Sequence, residues 1–173
     1  MPAVRRGEIE FAISSVPAIG ADPEIEHEIL HGDYGVVVAR ANHPLTRKNR
    51  LRLSDLAGHR WVLARRDEIE RRILDDAFLA DGLVPPRPTV ETTSTTLMKA
   101  LTSTSDFLSF MPAELIQWDL QARRIAKLDI EIPGAVRHMG ITRRRGAVLS
   151  PVAEALQEAL REISTGGALG GGR

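Results

Sequence analysis

The sequence predicts an α/β fold, a mainly parallel sheet with helices on its faces, arranged as one domain or two small lobes. Three observations predict it. Apolar residues recur with period two in some segments and at helical spacing in others, and the two kinds alternate along the chain. Glycines and prolines fall between the segments, where a chain turns. A length of 173 residues with 43% hydrophobic side chains is enough to bury a real core.

Ile9, Phe11 and Ile13 alternate with Glu8, Glu10 and Ala12, the pattern of a strand with one buried face, and Ser14 and Ser15 close it. From Ile25 to Ala39 the run Val36, Val37, Val38 with Gly32 and Gly35 suggests strands broken by a turn, ending at His43-Pro44. Leu51, Leu53 and Leu56, with Ser54 as cap and Gly58 as stop, suggest a short helix leading into a strand at Trp61, Val62 and Leu63. Asp67 and Glu70 form a capping-box pattern, and Ile69, Ile73, Ala77 and Phe78 continue at helical spacing to Gly82.

Pro85, Pro86 and Pro88 stop that helix, and Thr89-Val90 begins a short strand that gives way to Thr92, Thr93, Ser94, Thr95 and Thr96. Leu97, Met98 and Leu101 make a helix stripe. Phe107, Leu108 and Phe110 read as a buried strand, and Pro112 suits the first position of a helix carrying Leu115, Ile116 and Leu120. Ile130 and Ile132, the Pro133-Gly134 turn, and Met139 to Thr142 read as two extended segments. Ser150 as cap, Pro151 in the first turn, and Val152, Leu156, Leu160 and Ile163 on one stripe define a last amphipathic helix, followed by a glycine-rich flexible tail.

Composition excludes several functions. Basic and acidic residues cancel at 23 each, so no net field draws the chain to nucleic acid or an anionic membrane. The absence of cysteine removes disulfides, thiolate metal sites and cysteine nucleophiles. The N-terminus lacks the apolar run of a signal peptide and no stretch is long and apolar enough to span a bilayer, so the expectation is a soluble cytoplasmic protein. No cofactor motif is present: the glycines after Gly166 follow a helix at the chain end, not a strand, and Arg143 to Arg145 read as solvated surface.

Parallel α/β sheets bind ligands at the carboxyl ends of their strands, which points to Ser14 and Ser15, to Thr92 through Thr96, and to Met111-Pro112. The hydroxyl cluster sets side-chain donors beside free backbone N–H groups at a helix start, a setting for a carboxylate or phosphate. The plainer reading is that one hydroxyl caps the helix and the rest are solvated. His27-Glu28-Ile29-Leu30-His31 matches H-E-x-x-H, which on a helix holds zinc between two histidines with the glutamate activating water. That helix would be squeezed between Pro23 and Gly32. In an extended chain the two histidines stand roughly 13 Å apart, beyond one metal ion.

The ordered residues Gly7 to Ile13, Val36 to Arg40 with His43-Pro44-Leu45, Leu53 to Ala57, Trp61 to Leu63, Val90 to Thr92, Met111-Pro112, and Gly140-Ile141 through Ser150-Pro151 resemble the effector-binding domain of LysR-type transcriptional regulators. The resemblance covers nearly the whole chain, and no single element carries it. It implies a two-lobed, periplasmic-binding-protein-like (type 2) α/β fold whose first lobe, residues 1–16 and 138–165, is incomplete. Residues 17–137 form the second lobe and 166–173 the tail, with the hinge near Ser15 to Pro17 and Ile132 to His138.

The resemblance also implies a sensor and not an enzyme. A small, anionic effector binds in an interlobe cleft, the protein is a homo-dimer or tetramer, and DNA is contacted through a winged helix-turn-helix that has no counterpart in this sequence. Ser14 and Ser15 would line the cleft from the first lobe, with Thr92, Thr93, Ser94 and Thr95 facing them from the second and Met111 completing the set. Two rivals are a solute-binding protein of a transporter, marked by an export signal, and a zinc peptidase through His27 and His31.

Overall fold

The structure, a computed structural model of the chain, describes residues 2–16 and 22–166. Pro17 of the expected hinge and the tail after Gly166 lie outside the described residues. Five helices and seven strands follow in the order α1 (Pro2–Arg5), β1 (Phe11–Val16), β2 (Ile25–Arg40), β3 (Val62–Leu63), α2 (Ile69–Ala80), β4 (Val90–Glu91), α3 (Thr95–Thr104), β5 (Ser109–Pro112), α4 (Gln117–Gln121), β6 (Ile125–Lys127), β7 (Val136–Arg144) and α5 (Pro151–Gly166). They form two compact units. Tyr34–Val136 is one, and the described residues before Tyr34 and after Val136 are the other. The backbone passes from one to the other within β2 and at the start of β7.

In the unit of Tyr34–Val136, the run Val36 to Ala39 is buried on both faces of β2. Val37 and Ala39 join a core with Leu56, Trp61, Leu74, Phe78, Leu108 and Phe110. Val36 and Val38 join a second core with Val62, Met98, Met111, Ile116 and Ile125. The cross-strand partners of β2 are β5 and β6, both antiparallel. Parallel pairing is confined to β3 with β4 and to the bridge of Trp61 with Leu108, where helices separate successive strands. The mainly parallel sheet expected from the sequence is therefore mostly antiparallel, because β2 and β7 run as long strands beside their partners and need no helical crossover.

Four local expectations are corrected. Residues 25–40 form one unbroken strand, and Gly35 serves packing: a Cβ there would collide with the Phe110 ring. The short helix at Leu53–Leu56 is a single 3-10 turn, begun by the Arg52 N–H donating to the Asp55 carboxylate at 2.8 Å and not by Ser54. No side chain caps α2; Asp67 instead accepts from Arg65 at 3.2 Å. Pro112 ends β5 and precedes a 3-10 turn at Ala113–Ile116 before the short α4.

The other unit is a small sheet in which β7 lies between β1 and β2. β1 and β7 are antiparallel with Ile13 opposite Ile141 and Ser14 opposite Gly140. α5 begins as the sequence predicts: Pro151 occupies its first turn and Ser150 Oγ accepts from the Ala153 N–H at 3.3 Å. Ser150 in turn donates to Glu10 at 2.8 Å, and Arg161 grips Glu28 of β2 through two N–H groups at 2.6 and 2.8 Å. Among the described residues, no helix is long and apolar enough to cross a membrane.

Candidate functional site

The hydroxyl-rich segment lies where β4 gives way to α3. β4 pairs with β3, and the Thr92 N–H donates to the Leu63 carbonyl at 3.0 Å, the last rung before the chain turns. Thr92 Oγ1 accepts from the Ser94 N–H at 3.1 Å and Ser94 Oγ accepts from the Leu97 N–H at 3.3 Å, so Ser94 is the N-cap. The Ser94 carbonyl takes the first helical bond, from the Met98 N–H at 3.0 Å. The N–H groups of Thr95 and Thr96 precede that bond and have no acceptor within the helix, at its positive end.

A buried guanidinium supports this loop from behind. Arg71 of α2 donates Nε to Asp75 at 2.9 Å and Nη2 to the Pro86 carbonyl at 3.2 Å, while Nη1 stands 3.8 Å from the Glu91 carboxylate. The proline segment and β4 are thereby tied to α2. Lys99, one turn into α3, donates to the Leu115 carbonyl at 3.1 Å and reaches Asp119 at 2.7 Å, anchoring the helix start to α4.

Ser14 and Ser15 lie on β1 in the other unit, both partly buried. Ser15 Oγ donates to the Met139 sulfur at 3.6 Å, and Ser14 Oγ makes a long contact of 3.5 Å to the Ser15 carbonyl. Met111 is 2% exposed, its side chain packed with Met98, Ile116 and Ile125. Thr93 and Ser94 are exposed, and Thr92 and Thr95 half-buried. The five hydroxyl residues thus form one cluster, Ser14 and Ser15 a second, and Met111 belongs to the core between its neighbours.

The sequence model of the LysR substrate binding domain matches residues 1–164. The chain belongs to the LysR substrate-binding domain family. Similar curated proteins include the HTH-type transcriptional regulator GalR of Pseudomonas putida, 30% identical over 162 residues, which are 94% of this chain and 41% of that protein. The SDS degradation transcriptional activation protein of a Pseudomonas species is 30% identical over 154 residues, 86% of this chain and 49% of that one. The chain therefore spans about half or less of the curated relatives it matches.

Solved LysR-family structures share the fold. The effector binding domain of QuiR in complex with shikimate superposes with a TM-score of 0.73 at 22% identity, covering 95% of this chain and 76% of that one. The regulatory domain of CcmR from Synechocystis PCC6803 in complex with 2-PG gives 0.80 at 17% identity, covering 94% and 77%. The expected periplasmic-binding-protein-like α/β fold is that of these domains.

Within the LysR domain the H-E-x-x-H match lies wholly in β2, so its histidines are not on one helical face. His27 Nδ1 bonds the Thr142 hydroxyl at 2.8 Å and Glu28 is held by Arg161. The zinc arrangement weighed from the sequence is thereby overturned by the strand geometry. Sequence reasoning missed two polar features. Asp33 and Arg137, 104 residues apart, form a buried ion pair at 2.9 Å. Tyr34 lies 5.0 Å beneath the Lys127 ammonium, at a groove of about 330 Å³ also lined by Asp129, Glu131 and Ile132. Neither pairing has a local signal, since the partners meet only through the fold.

Proposed function

We propose that this LysR domain senses a small anionic molecule, with the start of α3 supplying its anion contacts and Ser14 and Ser15 contributing from the other unit. The observation that carries the reading is the pair of free N–H groups at Thr95 and Thr96, surrounded by the hydroxyls of Thr93, Thr95 and Thr96 at the carboxyl end of β4. Helix N-termini in that position favour negative charge. The ligands of the fold neighbours, shikimate and 2-PG, support a small-molecule effector.

The two compact units are the two lobes of the sensor, and Ile132 to His138 is one arm of its hinge. An effector acts by binding one arrangement of the lobes more tightly than another, since only differential affinity moves such an equilibrium. The reading includes a homo-oligomer in the cytoplasm, DNA contact through a helix-turn-helix carried outside this domain, and no catalysis.

Thermal denaturation of the chain with shikimate, malonate or inorganic phosphate tests the reading. A probe at a hundred times its Kd adds about 2.7 kcal/mol of stability. The expected result is a raised Tm with at least one anion, and a Kd for that probe tenfold or more weaker in Thr95→Val. A Tm indifferent to every anion, or affinity untouched by both Thr95→Val and Ser14→Ala, refutes the proposal.

A further inference from the structure

The apolar stripe of α5 that the sequence assigns to the core is turned outward. Val152 is 77% exposed, Leu156 50% and Ile163 71%, while the residues set against the sheet are Ala153 and Gln157, both buried. At about 100° per residue the stripe lies roughly 170° around the helix from Arg161. Arg161 leans over β2, where it holds Glu28. The strand order is β1, β7, β2, so the stripe is on the flank toward β1.

β1 is the end strand of this sheet, and its outer edge pairs with no strand among the described residues. Ile13 is 51% exposed on it, although its cross-strand partner Ile141 is buried. An open strand edge with an apolar side chain, beside a helix presenting three more, is the profile of a layer that another element completes.

We propose that this face seats a strand-and-helix segment carried elsewhere in the same regulator polypeptide. Its strand pairs with the outer edge of β1, and the apolar side of its helix closes on Val152, Leu156 and Ile163. Two observations select this occupant. The chain covers only 76% and 77% of the two solved domains, and the remaining quarter exceeds the roughly 30 residues of a strand–helix–strand unit. A second copy packing α5 on α5 buries the stripe but leaves the β1 edge without a strand; the segment satisfies both. The proposal rests on family membership, not on the effector.

The chain has no cysteine, so single substitutions report local exposure cleanly. Maleimide labelling of Leu156→Cys is compared with Val84→Cys, which is 81% exposed in the other unit. Both are measured in the 173-residue chain and in the whole polypeptide its gene encodes. The two sites label at similar rates in the chain, whereas in the whole polypeptide Leu156→Cys slows at least tenfold and Val84→Cys does not. Hydrogen exchange of the β1 amides, which needs no substitution, slows in parallel. Equal labelling of both sites in the whole polypeptide overturns the proposal, as does a gene encoding nothing beyond these residues. Slowing in the chain alone that grows with protein concentration assigns the face to a second copy and also overturns it. No effector enters the measurement, so its failure leaves the sensing proposal standing.

Discussion

Asp33 and Arg137 are the last residues of their unit on the two strands that lead into Tyr34–Val136. The Arg137 Nε and Nη2 both donate to one Asp33 oxygen, at 3.2 and 2.9 Å, and the Asp33 side chain is almost wholly buried. Asp33→Ala removes the carboxylate and strands the guanidinium. Breaking a buried pair from one side costs about 3–5 kcal/mol, and because Arg137 keeps a little solvent contact the lower end, about 3 kcal/mol, is expected. In a protein of this size each kcal/mol moves Tm by about 2–4 °C, so the drop is about 6–12 °C.

Urea and thermal denaturation of Asp33→Ala, Arg137→Ala and the double variant measure it, with a coupling energy of about 2 kcal/mol expected between contacting charges. Both tryptophans, Trp61 and Trp118, lie in the unit of Tyr34–Val136, so fluorescence follows that unit while circular dichroism follows both. Single effects that simply add, an Asp33→Ala loss under about 1 kcal/mol, or a shift seen by fluorescence alone refutes the assignment of this pair as the clamp of the crossing strands.

Two further predictions concern stability. Gly140→Ala sets a Cβ on the Glu28 carbonyl oxygen and 2.7 Å from Val16 Cγ2, so β2 and β7 must part; a loss of about 1–3 kcal/mol in the urea transition is expected, and an unchanged midpoint refutes the close approach. Burial pushes His43 below the ordinary imidazole value, with His59 and Arg40 acting the same way and Asp106 opposing. The unfolded chain then binds the proton first, so stability falls as pH drops below about 6.5. His43→Asn keeps an acceptor for the Leu45 N–H and flattens that slope between about pH 7 and pH 5, whereas an unaltered slope shows that His43 does not set it.

Elements bounded by local chemistry were legible in the sequence. Pro85 to Pro88 ends α2 because proline lacks the N–H a helix needs, and Gly82 stops it with φ of 71°. Ser150-Pro151 starts α5 and Ser94 starts α3 by the same local logic. What depended on distant partners was not legible. Gly35 reads as a turn until Phe110 is placed against it, and nothing near Asp33 announces Arg137. The period of the α5 stripe was readable, but amphipathicity says only that one side is apolar, not which side meets a given sheet.

The same limit decides how much of the hydroxyl cluster can serve a ligand. Composition counts five hydroxyls between Thr92 and Thr96, and a cap and an anion contact ask for the same residue types. The structure divides them. Ser94 is committed as the cap and Thr92 holds the Ser94 N–H, so removing either disturbs the helix start before any ligand is considered. Thr93, Thr95 and Thr96 make neither of those bonds, and the N–H groups of Thr95 and Thr96 lie outside the helical ladder. A loss of anion affinity in Ser94→Ala would therefore be ambiguous between capping and contact, whereas the same loss in Thr95→Val, with the Ser94 cap intact, bears on the ligand.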